Sequence, residues 1–131
     1  MSETGLTWVA HAHTRHSYDC LSDPFALVAE AVRLGIDVLA ITDHDTWEGS
    51  VEAERRARAA ALPVRIVRGN ERATDQGDVI GLFLEEDVRE KNALAFCDAV
   101  HAQGGLVLLP HPFKWRAPSE ELLARVDLIE A

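Results

Sequence analysis

Short, continuous apolar runs separated by helix-forming segments place the strongest constraint on the fold of this chain. Residues 36–42 (IDVLAIT) and 106–110 (LVLLP) are runs of this kind, typical of strands covered on both faces in a parallel sheet. Helix boundaries precede the first of these runs: Asp23 is a candidate N-cap, Pro24 a first helical residue and Gly35 a C-terminal stop. Strand, helix, strand recurs along the sequence, which predicts an α/β fold.

The same patterns of apolar runs and helix boundaries predict six strands and four helices. The predicted strands are residues 7–12, 36–42, 64–67, 78–84, 106–110 and 126–131, and the predicted helices are 24–34, 47–61, 85–103 and a short one capped by Ser119. A complete eight-stranded barrel usually needs about 250 residues. The sequence therefore predicts a single domain over residues 1–131 that forms only part of such a barrel.

Composition limits the classes of partner and location. The 131 residues are 47% hydrophobic, enough for one domain with a core. Twenty-two Asp and Glu against thirteen Lys and Arg give a net charge of -9, which disfavours long nucleic acid unless positive charge is concentrated locally or metals supply it. Two cysteines without a CxxC motif, and no signal-like or membrane-spanning apolar segment, predict a cytoplasmic protein without membrane contact.

Polar side chains cluster where the predicted strands end. His11 and His13 end the first strand, Asp19 follows in the next loop, and His44, Glu71 and His111 follow the second, third and fifth strands. In a parallel βα architecture the carboxyl ends of the strands open on one side of the sheet. These residues are therefore expected to meet there.

The residue types in this cluster suit divalent metals. His11 and His13 lie two apart on a strand and so point to the same face. Imidazole nitrogens with carboxylates suit zinc, manganese or iron, and a carboxylate such as Glu71 could bridge two ions. Adjacent ions can lower the pKa of a bound water and hold the oxygens of a phosphoester. One isolated histidine would more often be a loop or core residue, and it is the grouping that favours a site.

Several polar residues are expected to lie outside this site. His16 is interpreted as a solvated loop residue, and His101 as a favourable charge at a helix C-terminus. Asp43 and Asp45 flank His44, and either could orient its imidazole. For Asp45 we expect instead a role as cap of the following helix.

Four segments together resemble the motifs of one family. HAHTRHSYDC (11–20) resembles the first motif of the PHP (polymerase and histidinol phosphatase) family, and ITDHDT (41–46) its second; GNE (69–71) and LLPHPF (108–113) resemble the third and fourth. The motifs occur in the family's order along the whole chain. The resemblance implies a distorted barrel of βα units that holds two or three divalent ions (zinc, manganese or iron) and hydrolyses phosphoesters.

The resemblance also implies roles for individual residues. It assigns metal binding to His11, His13, Asp19, His44, Glu71 and His111, with Glu71 as the bridging ligand. Asp78 stands nearest to a position where many members have histidine: either it supplies a carboxylate in place of the imidazole, or one metal site is weak or absent. Lys114 and Arg116 fall where related enzymes present basic side chains to the substrate phosphate, although an exposed loop pair is an equal alternative.

The sequence departs from the family at its C-terminal end. A late GSDAH-like motif, which supplies an aspartate and a histidine to the metals, is absent, so the chain resembles the N-terminal portion of a larger barrel. Unpaired sheet edges would then make a homo-oligomer plausible.

The leading functional hypothesis is a metal-dependent hydrolase that uses a metal-activated water to cleave a small phosphomonoester, a nucleotide or a short oligonucleotide. The alternative is a catalytically silent PHP module with weak metal binding and a structural or interaction role. A third hypothesis is hydrolysis of another bond, because a metal-activated water does not by itself dictate the electrophile.

Overall fold

The structure is a computed structural model that describes residues 5–112, 114 and 117–130. Its strands are β1 (Trp8–Ala12), β2 (Val38–Ile41), β3 (Arg65–Thr74), β4 (Gly77–Leu82), β5 (Leu106–Leu109) and β6 (Leu128–Ile129). Its helices are α1 (Pro24–Arg33), α2 (Glu48–Ala59), α3 (Ala93–Ala102) and α4 (Glu120–Leu123). The predicted α/β class is confirmed.

The six strands form one mixed sheet in the order β1-β2-β3-β4-β5-β6, curled into a half-barrel. The pairs β1–β2, β2–β3 and β5–β6 are parallel, whereas β4 is antiparallel to both β3 and β5. The expectation of a parallel sheet is therefore wrong at β4. The physical reason is a tight hairpin: Thr74 Oγ1 donates to the Gly77 carbonyl at 2.6 Å, and Gly77 has a φ of 96° that favours glycine.

The reversed strand β4 begins at the edge of the sheet where its neighbours end. Because β4 runs against its neighbours, its first residues lie at the edge where the other strands end. Asp78 pairs with Ala73 near the end of β3, and Ile80 pairs with Glu71. An antiparallel strand thus brings the carboxylate of Asp78 to the edge that the parallel strands reach with their carboxyl ends.

Apolar side chains form three clusters on the two faces of the sheet. One joins α1 and α2 to the sheet through Val28, Ala31, Leu39, Ile41, Ala53, Ala57 and Ile66. A second surrounds α3 and includes Val79, Phe96, Cys97, Val100, Val107 and Leu122. The third lines the inner, concave face with Ala40, Val67, Ile80, Leu82 and Leu108. The helices thus cover one face of the sheet, and the side chains of the third cluster fill the concave side of the other.

Capping contacts explain where the helices begin. Asp23 caps α1 as expected, since its carboxylate accepts from the Ala26 N–H. The third helix was expected from residue 85, which is wrong: it begins after Asn92, whose side chain caps it by accepting from the Ala95 N–H. The preceding segment, 85–92, is instead held by contacts distant in sequence: Asn70 Nδ2 of β3 donates to the Val88 carbonyl at 3.2 Å, and Gln103 Oε1 accepts from the N–H groups of residues 85 and 86. No described helix is long and apolar enough to cross a membrane.

Candidate metal centre

The structure brings the seven expected ligands to one edge of the sheet. They are His11 and His13 from the end of β1, Asp19 from the next loop, His44 after β2, Glu71 in β3, Asp78 in β4 and His111 after β5. Glu71 was expected after the third strand, and this is wrong because β3 continues to Thr74. An isolated β-bridge pairs the backbone of His44 with that of Glu71 and so links the loop after β2 to β3.

An irregularity in β1 sets the direction of its two histidines. The register with β2 shifts between Val9 and Ala12. In a regular strand these two residues would face opposite sides, yet both pack in the cluster beside α1 and α2. His11 and His13 are thereby turned to the inner side, where both reach Glu71. Irregularities of this kind commonly re-aim side chains at functional sites.

Glu71 is the centre of the first ligand group. His11 Nε2 lies 2.9 Å and His13 Nε2 2.8 Å from the same oxygen, Glu71 Oε1. The two nitrogens are 3.2 Å apart. The donor atoms of this group lie within 4.8 Å of one another, a spacing at which they could hold one ion.

A second group combines His13, Asp19 and His44. His13 Nδ1 is 3.2 Å from Asp19 Oδ1, and His44 Nε2 is 3.2 Å from Asp19 Oδ2. The loop that carries Asp19 is tied to the end of β2 by Ser17, whose hydroxyl accepts from the His44 N–H at 2.8 Å. The side chain of Asp19 is thus held between two imidazoles from different strands.

The third group combines His44, Glu71 and Asp78, and His44 Nε2 lies 3.9 Å from Glu71 Oε1. His111 is in none of the three groups among the described residues but lies beside this one. His111 Nε2 is 3.2 Å from Asp78 Oδ2 and 3.6 Å from Glu71 Oε2. Asp78 therefore stands where a ligand beside His111 is expected.

The buried carboxylate of Glu71 provides a test of whether a cation fits. The residue is fully buried, and its Oε2 has no hydrogen-bond partner among the described residues. A buried, unsatisfied carboxylate oxygen is costly. A divalent ion between Glu71, His111 and Asp78 would satisfy this oxygen, so the donor set fits a metal.

The pKa values of the group follow from the same contacts. Burial alone would raise the pKa of Glu71, but the hydrogen bonds from His11 and His13 lower it to about 2. The hydrogen bond to Glu71 raises the pKa of His11 to about 9, against the opposing effect of burial and with help from Glu130. Without metal, the centre is therefore a cluster of charge-assisted hydrogen bonds.

The aspartates that flank His44 have structural contacts of their own. Asp43 is fully buried and accepts from the backbone N–H and, at 2.7 Å, the hydroxyl of Thr14. Asp45 does not cap α2, so that expectation is wrong. Its φ is 59°, and its Oδ1 accepts from Arg72 at 3.2 Å and from the Ala73 N–H at 3.0 Å.

His16 and His101, which were expected to lie outside the site, each face a carboxylate. His16 is exposed and lies 3.3 Å from Glu52, and His101 lies 2.8 Å from Asp127. The candidate ligand groups among the described residues include neither histidine. Lys114 is exposed, and its N–H donates to the His111 carbonyl at 3.1 Å. Arg116 lies outside the described residues.

Sequence reasoning missed two residues beside the centre. Glu130 follows β6, and its Oε2 lies 2.8 Å from His11 Nδ1. The ring of Tyr18, a residue 84% exposed, lies 4.8 Å from the ring of His44. Glu130 could have been found from its position, because it is an acidic residue directly after a strand, like the other candidates.

The centre opens on a shallow depression of about 310 Å³ lined by His11, Ala12, His13, Asp19 and Cys20. A cavity of about 350 Å³ between α2, β3 and the segment after β4 contains none of the candidate ligands. The smaller depression thus borders three of the candidate ligands, whereas the larger cavity borders none.

Comparisons with known proteins agree with this geometry. The family model described as PHP domain matches residues 10–122. An uncharacterised protein of Methanocaldococcus jannaschii is 34% identical over 114 residues, covering 79% of this chain and 66% of that protein. The 5'-3' exoribonuclease Rnm of Escherichia coli is 37% identical over 76 residues, 56% of this chain and 26% of that protein. The error-prone DNA polymerase of Mycobacterium bovis is 52% identical over 63 residues, 47% of this chain and 6% of that protein.

A solved structure shares the fold. It is a two-domain protein of Bacteroides vulgatus containing a predicted PHP-like metal-dependent phosphoesterase, and it matches with a TM-score of 0.78 and 22% identity over 95% of this chain and 43% of that one. The chain thus spans at most 66% of the length of any of these four proteins.

Proposed function

This chain belongs to the PHP domain family, and from that membership and its site we propose that it is a metal-dependent hydrolase that cleaves phosphoesters. The observation that carries the proposal is the position of Glu71. Its Oε1 is shared by His11 and His13, while its Oε2 faces His111. A buried carboxylate with a different donor set at each oxygen suits a bridge between two ions.

We propose two or three divalent ions, of zinc, manganese or iron, held by His11, His13, Asp19, His44, Glu71, Asp78 and His111. When bound, such ions lower the pKa of a coordinated water and withdraw charge from phosphoryl oxygens. The protein's part is to hold the imidazoles and carboxylates around a common point, which the contacts with Glu71 and Asp19 do.

Charge at the site favours an anionic substrate once metals are present. The carboxylates of Asp19, Glu71 and Asp78 bring three negative charges to the expected ligand set, whereas two divalent ions bring four positive charges. The ligand set then carries a net charge of about +1, although the carboxylate of Glu130 lies beside it and the whole chain carries -9. A small phosphate ester that contacts only this region is attracted, while a long nucleic acid also meets the acidic surface around it.

For the substrate we propose a small phosphomonoester, a nucleotide or a short oligonucleotide. The open depression beside His11 and Asp19 suits a substrate end rather than a long duplex. The name of the exoribonuclease relative supports a nucleotide or a short oligonucleotide. Lys114 and Arg116 are proposed to contact the phosphate. A cytoplasmic location suits the two free thiols, Cys20 and Cys97.

The test combines metal analysis with an assay. The purified chain is analysed for bound metal before and after addition of manganese or zinc, and hydrolysis of p-nitrophenyl phosphate and of a 5'-nucleotide is measured in parallel. We expect at least two ions per chain and turnover, with bound metal sharply reduced and turnover lost in His13→Ala and Glu71→Ala. The control His101→Ala should retain both. At most one loosely held ion without turnover would contradict the proposal and favour the silent-module alternative.

A further inference from the structure

We propose that Glu130 is a positioning residue for the metal centre: its carboxylate fixes the imidazole of His11 so that Nε2 faces the ions. This inference rests on the proposed metal-dependent function. Glu130 Oε2 lies 2.8 Å from His11 Nδ1, across 119 positions of sequence. On the other side of the same ring, His11 Nε2 lies 2.9 Å from Glu71 Oε1.

The chemistry of imidazole explains why this contact matters. A neutral imidazole has one N–H and one lone pair, and only the lone pair binds a metal. An ionised carboxylate accepts hydrogen bonds but donates none, so Glu130 favours the form of His11 with the proton on Nδ1. The lone pair then lies on Nε2, the nitrogen that faces Glu71 and His13. A carboxylate in this position also makes the imidazole a more basic ligand.

The fold holds Glu130 in place for this contact. Leu128 and Ile129 pair with Leu108 and Leu109 of β5, and the Glu130 N–H donates to the Leu109 carbonyl at 3.0 Å. Leu128 packs against the cluster on the inner face. Because side chains alternate along a strand, Glu130 points to that same face, where the candidate ligands lie.

The position of Glu130 is that of a support rather than of a ligand. Nδ1 and Nε2 lie on opposite edges of the imidazole ring, and Glu130 contacts the edge turned away from Glu71 and His13. Its side chain is 37% exposed, so the experiment must distinguish a positioning role from an ordinary surface ion pair.

The experiment compares Glu130→Ala, Glu130→Gln and the control Glu121→Ala, which removes an exposed carboxylate from α4. Zinc affinity is measured by competition with a chromophoric chelator. We expect Glu130→Ala to weaken the binding of zinc by roughly 10- to 100-fold. Glu130→Gln keeps an oxygen that can accept from Nδ1–H and should recover most of that loss, whereas Glu121→Ala should bind like the unaltered chain.

A second measurement does not depend on a variant that folds. Nitrogen-15 NMR of the zinc-loaded, unaltered chain reports which nitrogen of His11 carries the proton, and we expect Nδ1. A proton on Nε2, or equal zinc affinity in Glu130→Ala and Glu121→Ala, would overturn the role of Glu130 alone. An unaltered chain that binds neither zinc nor manganese would overturn the proposed function and this inference together.

Discussion

His111 Nε2 faces Glu71 Oε2 at 3.6 Å, on the side of the carboxylate away from the oxygen that His11 and His13 share. The two oxygens of one buried side chain thus serve two different sets of imidazoles. Removing the carboxylate should therefore affect both sets, while removing one imidazole should affect its own set.

This relationship predicts different metal losses in two variants. Glu71→Gln removes the negative charge but keeps the shape of the side chain, and we expect it to lose at least two ions per chain. His111→Ala should lose one. Elemental analysis after dialysis measures how many ions each variant retains. If Glu71→Gln loses a single ion, Glu71 does not bridge.

The identity of residue 78 should tune metal preference. Asp78 Oδ2 lies 3.2 Å from His111 Nε2, and carboxylates suit manganese more than imidazoles do. Asp78→His should shift the preference from manganese toward zinc, by roughly tenfold in the ratio of affinities, about 1.4 kcal/mol. Competition titrations measure the ratio, with Asp98→His as a surface control. An unchanged ratio would place Asp78 outside the ligand set.

The ion pair between His11 and Glu71 makes the stability of the metal-free chain depend on pH. The pKa of His11 is raised from 6.5 to about 9, so its contribution is complete below pH 6.5 and is lost as pH rises to about 9. The pKa of Glu71 is lowered from 4.5 to about 2, so its contribution is lost as pH falls through that range. Stability should be highest between these ranges, from pH 4.5 to 6.5.

Thermal unfolding in a chelator at several pH values tests this expectation. The two shifts share the contact between His11 and Glu71, with further contributions from Glu130 and His13, so their energies do not add. The loss of either costs at most about 3 kcal/mol, since one pKa unit corresponds to about 1.4 kcal/mol. His11→Asn should flatten the fall of the melting temperature above pH 6.5, the ordinary value for histidine. His101→Asn should keep that fall. An alkaline fall that is equal in both variants would show that His11 does not cause it.

The sequence predicted the class of the fold and the residues of the cluster because both follow from local patterns. Apolar runs and caps identified each strand and α1, and residues after strand ends identified the candidate ligands. The reversal of β4 was missed because a buried apolar strand reads the same in either direction. The hairpin signal lay in Gly77, which was not weighed as a turn residue.

The errors at Asp45 and at the start of α3 have a common cause. In both places a polar group is bound by a partner distant in sequence and not by a local one. Asp45 contacts Arg72 and Ala73, 27 and 28 residues away, instead of capping α2. Residues 85–92 are held by contacts with β3, as between Asn70 and Val88, instead of extending the helix. Tertiary contacts of this kind cannot be seen in a local pattern.

Gly49 should be intolerant of any side chain. A Cβ at this position would lie 1.9 Å from Asp43 Oδ2 and 2.5 Å from Thr14 Oγ1, where a buried hydrogen bond joins the ends of β1 and β2. Gly49→Ala should destabilise the chain by about 1–3 kcal/mol and weaken metal binding. Gly5→Ala, whose Cβ would meet nothing within 4 Å, is the matched control. Equal melting temperatures in the two variants would contradict this account.

The last prediction concerns the open edges of the half-barrel. In the sheet formed by the described residues, β1 and β6 each pair with one neighbour, and they carry Trp8, 43% exposed, and Ile129, 58% exposed. Edge strands with exposed apolar residues tend to pair with other chains, so we predict that this polypeptide self-associates.

A lysine at an edge opposes such pairing, and Trp8→Lys or Ile129→Lys should shift the mass measured by light scattering toward the monomer. Leu21→Lys, at a residue 96% exposed outside the strands, should leave the mass unchanged. A monomer in the unaltered chain at all concentrations would refute the prediction.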